Sequence, residues 1–126
     1  MIRCVALAAA LFACTLPAAA QLQRNFPANA LRGELVVLQP PEAQLNGQPA
    51  RLAPGARIRA TDNRLVVSGA IAGQRLVVHY TQDLMGQLHE VWVLTPAELS
   101  RQPWPTTRAQ AEAWTFDAAA QAWRRP

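Results

Sequence analysis

Gln74-Arg75-Leu76-Val77-Val78-His79-Tyr80-Thr81-Gln82, then Asp83-Leu84-Met85-Gly86, then Leu88-His89-Glu90-Val91-Trp92-Val93-Leu94 is the stretch that decides the fold. Two runs rich in branched and aromatic residues flank a short polar link ending in glycine, which is the pattern of a β-hairpin. A four-residue loop Asp83–Gly86 would pair Thr81 with Leu88, Tyr80 with His89 and His79 with Glu90. Side chains alternate across a strand, so that register puts Leu76, Val78, Tyr80, His89, Val91 and Val93 on one face. The other face carries Val77, His79, Thr81, Leu88, Glu90 and Trp92.

Upstream the same β pattern continues. Leu31–Leu38 is a branched run stopped by Pro40-Pro41. Asn46-Gly47 is a strong hairpin signal because both residues tolerate positive φ. Pro49, which has no N–H to donate, places the strand after that turn at an edge or makes it short. Arg57-Ile58-Arg59 and Leu65-Val66-Val67-Ser68 supply further short strands between turns at Pro54-Gly55, Thr61-Asp62-Asn63 and Gly69–Gly73. Five to seven short strands without a long helix predict a mainly β domain over 31–95. Its expected form is a small meandering barrel or curled sandwich, SH3-like or OB-like.

Residues 96–126 read as a short helical or irregular C-terminal wrap. Thr95-Pro96-Ala97-Glu98 has a capping threonine, proline at the first helical position and glutamate three after the cap. Pro103 and Pro105 end that segment. Thr106 or Thr107 caps a second short helix that runs to Trp114, and Asp117 marks a turn. A β domain of this size without disulfides is marginal on its own. The wrap is expected to fold back and bury Trp104, Trp114, Phe116 and Trp123 on an open face.

Residues 1–20 read as an export signal: Arg3, an apolar run from Val5 to Ala13, and Ala18-Ala19-Ala20 before a cut at Gln21. The run is too short for a membrane span, which needs about 20 apolar residues. The expected location is the periplasm or the exterior, with no transmembrane segment in the mature chain and residues 21–30 as a flexible arm. Both cysteines, Cys4 and Cys14, fall inside the signal, which leaves no thiol for a disulfide, a metal-thiolate site or a nucleophile. Leu11-Phe12-Ala13-Cys14 also resembles a lipobox, so a lipid-anchored envelope component attached through Cys14 is an alternative.

All 12 basic residues are arginine, and the net charge is +4. The arginines are scattered rather than gathered with aromatics on one face, so no nucleic-acid partner is expected. Phosphate-loop glycines, metal-ligand spacings and a serine elbow are missing, so neither a cofactor nor a metal site is expected. His79 opposite Glu90 is the one pairing with acid–base potential, and an enzyme or metal-binding protein centred on it is the other alternative. The tryptophans suit binding better. Trp92, Trp104, Trp114, Trp123 and Tyr80 can make a stacking surface, with Trp104 expected to be accessible between its prolines.

Three blocks carry a resemblance: Arg24–Glu34, Leu45–Arg59 and Pro103–Thr107. In them the chain resembles small exported bacterial proteins of unknown function, and the likeness covers most of the mature chain. It implies a shared compact domain and transfers no catalytic residue. Taken together, the sequence predicts an exported, non-catalytic binding or assembly module that contacts an envelope protein or glycan.

Overall fold

The computed structural model describes residues 23–126. Six strands form over the stretches that the sequence marks as β, with the two short helices expected from it, and a C-terminal pair of strands is added. They are β1 (Leu31–Val37), β2 (Glu42–Leu45), β3 (Gln48–Arg59), β4 (Leu65–Val66), β5 (Arg75–Gln82), β6 (Leu88–Val93), α1 (Pro96–Leu99), α2 (Arg108–Ala113), β7 (Thr115–Asp117) and β8 (Ala122–Arg124). The sheet order is β2-β1-β5-β6-β3-β4, and a further β2–β3 pairing closes five of these strands into a barrel. β3 and β6 run parallel while the other ladders are antiparallel. The expected small β-barrel is therefore formed as a closed, five-stranded, mixed one.

Local chemistry explains the turns. Asn46 (φ 53°) and Gly47 (φ 78°) both occupy the left-handed region, as a two-residue hairpin between twisted strands requires. Pro49 sits opposite Gln44. β6 joins β3 only from Leu52, so the missing N–H falls where that side of β3 has no ladder. Thr95 caps α1 with a complete capping box, and Thr107 caps α2 through the Gln110 N–H. Asp117 turns the chain between β7 and β8 by accepting from the N–H groups of Ala119 and Ala120.

Two apolar layers result. Leu35, Val78, Leu88 and Val91 fill the barrel together with Leu31, Leu52, Ile58 and Tyr80. Outside it, Phe26, Ala30, Trp92, Leu94, Trp104 and Trp123 form a second cluster between the sheet and the wrap. The wrap is stitched down by backbone groups: the Arg32 N–H donates to Pro105 O at 2.9 Å, and Trp104 Nε1 donates to Ala30 O at 3.0 Å.

Three expectations need correction. Residues 23–30 are not a free arm, because Phe26 and Ala30 are core residues and the Phe26 N–H donates to the buried Gln121 side chain at 2.8 Å. The β5–β6 register is two residues away from the four-residue-loop register: Tyr80 faces Val91, His79 faces Trp92 and Thr81 faces Glu90. An even shift keeps most side chains on their expected faces. An irregularity after Thr81 then turns Leu88 into the barrel and leaves His89 exposed, the reverse of the expected placement. Lastly, Leu65–Ser68 is a strand only as far as Val66, and Ser68–Ile71 is a turn of 3₁₀ helix. The export signal and the lipobox lie outside the described residues.

Candidate functional site

Of the residues proposed for chemistry, His79, Trp92 and Trp104 come together on the outer face of β5 and β6. Position 79 alternates with the barrel-filling Val78 and Tyr80, so its side chain points outward, where the wrap covers it. His79 is 1% exposed and stacks on Trp104 with ring centroids 4.1 Å apart, and the Phe26 ring meets it edge-on at 4.4 Å. Arg32, opposite His79 in the β1–β5 ladder, donates from Nε to His79 Nε2 at 3.2 Å. An imidazole that accepts at Nε2 is neutral and carries its proton on Nδ1, which is buried here without a partner. Burial, with the charges of Arg32, Arg24 and Arg101 added, pushes the His79 pKa down to about 2.

Arg32 in turn is fixed by two carbonyls of α1, donating to Glu98 O at 2.9 Å and Leu99 O at 3.4 Å. The Glu98 side chain is held by Arg24, which donates from Nε to Oε2 at 2.9 Å and from Nη2 to Oε1. The pair is buried. Burial alone would raise the Glu98 carboxyl, but the bonds from Arg24 and from the Thr95 backbone hold it below the usual carboxylate range. Arg24 spends further donors on Ala60 O and Val93 O. This network ties the start of the described chain, β1, β5 and α1 together.

The acid–base pair expected from the sequence does not form. Glu90 faces Thr81 across β5 and Arg57 across β3, and His79 faces Trp92. An enclosed, neutral histidine whose acceptor nitrogen is already bonded packs the wrap and positions Arg32. Among the described residues, no group of three His, Cys, Asp or Glu side chains could hold a metal ion.

The aromatic surface is likewise redistributed. Trp92, Trp104 and Trp123 are buried in the outer cluster, and Trp104, expected to be accessible, is only 5% exposed. The residues between Pro103 and Pro105 fold inward because the indole N–H finds Ala30 O there. One edge of Trp104 still lines a shallow cleft with Arg32, Gln102, Thr106 and Arg125. Trp114 is half-buried beneath the Arg125 guanidinium, 5.4 Å from its ring centre.

Tyr80 is placed differently. Its ring helps fill the barrel, and it also lines a cleft of about 420 Å³ at the barrel end, between the Ala28-Asn29 turn, β1, β5 and α2. The floor is apolar, with Leu31, Ala28 and Ala111, and the polar wall is Tyr80, Asn29, Gln82, Arg108 and Glu112. Desolvation raises the Tyr80 pKa, so the phenol stays a neutral donor and acceptor. The Tyr80 ring fits because Gly33 faces it, and a Cβ at Gly33 would lie 3.0 Å from Tyr80 Cε1 and 3.0 Å from Leu45 Cδ1. Arg108 and Glu112 stand one turn apart on α2, and neither is engaged in an ion pair among the described residues. A phenol, two amides, a cation and a carboxylate over an apolar floor can bind a polar segment carrying both charges and hydroxyls.

Sequence reasoning found Tyr80 and missed the rest of this wall. Arg108 and Glu112 were readable as helix neighbours, but nothing local says that α2 lies against the end of β5. Comparison with protein-family models, with curated proteins and with solved structures finds no match. The site therefore rests on its own geometry.

Proposed function

We propose that this protein is an exported, non-catalytic binding or assembly module of the bacterial cell envelope. It takes a short polar segment of a partner protein or of an envelope polymer in the barrel-end cleft. The observation that carries the reading is the cleft itself, an existing recess whose wall offers Tyr80, Gln82, Asn29, Arg108 and Glu112 over an apolar floor. The export signal read over residues 1–20 supplies the compartment.

The test is an NMR titration of the ¹⁵N-labelled protein with soluble disaccharide–peptide fragments of peptidoglycan, which present both glycan and peptide groups. Saturable shifts should cluster on Leu31, Tyr80, Gln82 and α2. Tyr80→Phe and Arg108→Ala should each weaken binding about tenfold, a loss of roughly 1.4 kcal/mol. As changes at the wall, they should leave stability nearly unmoved. Shifts that map elsewhere, or variants that bind as well as the parent, would assign the cleft no role in recognising this polymer.

A further inference from the structure

The barrel-end cleft carries two opposite charges that its own helix does not explain. Arg108 is the first residue of α2 and Glu112 the last but one, a single turn apart. Residues so spaced are neighbours, with Cβ atoms about 5–6 Å from each other. They nevertheless form no ion pair, with each other or with any other described residue. Their order is also the reverse of the one a helix favours, which is acid toward the N-terminus and base toward the C-terminus. α2 gains nothing from either charge where it stands. Both side chains are exposed and both line the cleft, so both are open to a ligand.

The rest of the wall narrows the chemistry. A sugar ring is best held by stacking on an exposed aromatic face. Tyr80 is the one aromatic side chain lining the cleft among the described residues, and at 4% exposure it offers no face to stack on. Trp92, Trp104 and Trp123 belong to the outer cluster instead. Asn29 and Gln82 supply amides, which match the N–H and C=O groups of a peptide. Gln82 donates from Nε2 to Gly86 O at 3.3 Å and keeps its carbonyl oxygen as an acceptor.

We propose that the cleft selects the peptide part of an envelope polymer, a short segment that presents a free carboxylate to Arg108 and a free ammonium to Glu112, over the glycan. This rests on the cleft being the binding site. Arg108 meets the carboxylate with a planar fork of N–H donors, and Glu112 accepts from the ammonium. Neither charge has to leave an ion-pair partner, so neither new pairing is offset by breaking an old one.

The experiment titrates the purified ¹⁵N-labelled protein with three probes in separate arms. The first is the stem tetrapeptide of peptidoglycan, acetylated at its N-terminus in place of the glycan link, with the ammonium of its diamino acid and its terminal carboxylate free. The second is the same peptide with that ammonium acetylated as well, and the third is di-N-acetylchitobiose, a glycan without peptide. The first should saturate with shifts on α2 and at Gln82, and chitobiose should leave those resonances unmoved. Capping the ammonium should weaken binding about fivefold, the size of one exposed ion pair. Glu112→Gln should weaken the first peptide by the same factor and bind both peptides alike, because removing either partner of one contact removes the whole of it. Saturation by chitobiose at the same residues, a capped peptide as tight as the uncapped one, or a silent peptide beside a binding disaccharide–peptide fragment overturns the selectivity and leaves the cleft as the binding site. Silence at α2 and Gln82 with every probe and with the disaccharide–peptide fragments overturns the binding site and this inference with it. The comparison of capped with uncapped peptide on the parent protein stands even if the variant fails to fold.

Discussion

Acid should loosen this protein well above the carboxylate range, and His79 is the reason. In the folded chain its imidazole is enclosed, accepts from Arg32 and is held neutral, with its pKa pushed down to about 2. In the unfolded chain an ordinary histidine takes up a proton below about pH 6.5. The unfolded state therefore binds the extra proton. The stability tied to the neutral form is complete above pH 6.5 and is lost progressively as pH falls toward 2. Between pH 7 and pH 5 the loss works out to about 2 kcal/mol, with a slope approaching about 1.4 kcal/mol per pH unit. Urea unfolding followed by tryptophan fluorescence at pH 7, 6 and 5 measures it, since Trp104 stacks directly on the imidazole. His79→Phe keeps a ring in the stack and removes the titration. It should cost about 1–3 kcal/mol at pH 7 for the acceptor taken from Arg32, yet flatten the profile between pH 7 and 5. A parent protein equally stable at pH 7 and pH 5, or a His79→Phe variant with the parent's slope, would refute the reasoning.

Glu98→Gln strips the buried Arg24 guanidinium of its counter-charge and should cost about 3–5 kcal/mol in urea unfolding at pH 7. Replacing both partners, Arg24→Leu with Glu98→Leu, should recover much of that loss. Gly33→Ala pushes a methyl against Tyr80 and Leu45 and should cost about 1–3 kcal/mol. It should also shift the Tyr80 ring resonances, and unchanged resonances would mean that the close approach does not constrain the ring. Trp104→Ala empties the centre of the outer cluster, where its indole meets Phe26, His79, Phe116 and Trp123, and should cost about 3–5 kcal/mol. A variant melting within a degree or two of the parent would place Trp104 at the surface instead.

What was legible in the sequence was local. Asn46-Gly47, the Thr95–Glu98 capping box, the Thr107 cap and the Asp117 turn each act within four residues, and each appears where its chemistry predicts. The alternation along Arg75–Gln82 likewise sends Val78 and Tyr80 inward and His79 outward. Features joining distant parts of the chain were not legible. The parallel β3–β6 ladder within the barrel has no signature in either strand. The irregularity beyond Thr81 inverts Leu88 and His89 without any proline or glycine at those positions. Arg24 and Glu98 are 74 positions apart, so neither announces the other. The burial of Phe26 depends on Gln121, 95 positions away. The cleft belongs to this second class, since its wall is drawn from a turn, two strands and a helix.

The most direct test of the central claim is photocrosslinking in cells from a probe amino acid placed at Gln82, on the cleft wall, and in parallel at Arg64, which is exposed and away from it. The account predicts one dominant envelope species joined at position 82 and absent at 64. It also predicts that the species disappears when Arg108→Ala is added to the position-82 probe. The same species captured equally from both positions, or a position-82 product indifferent to Arg108→Ala, would contradict it.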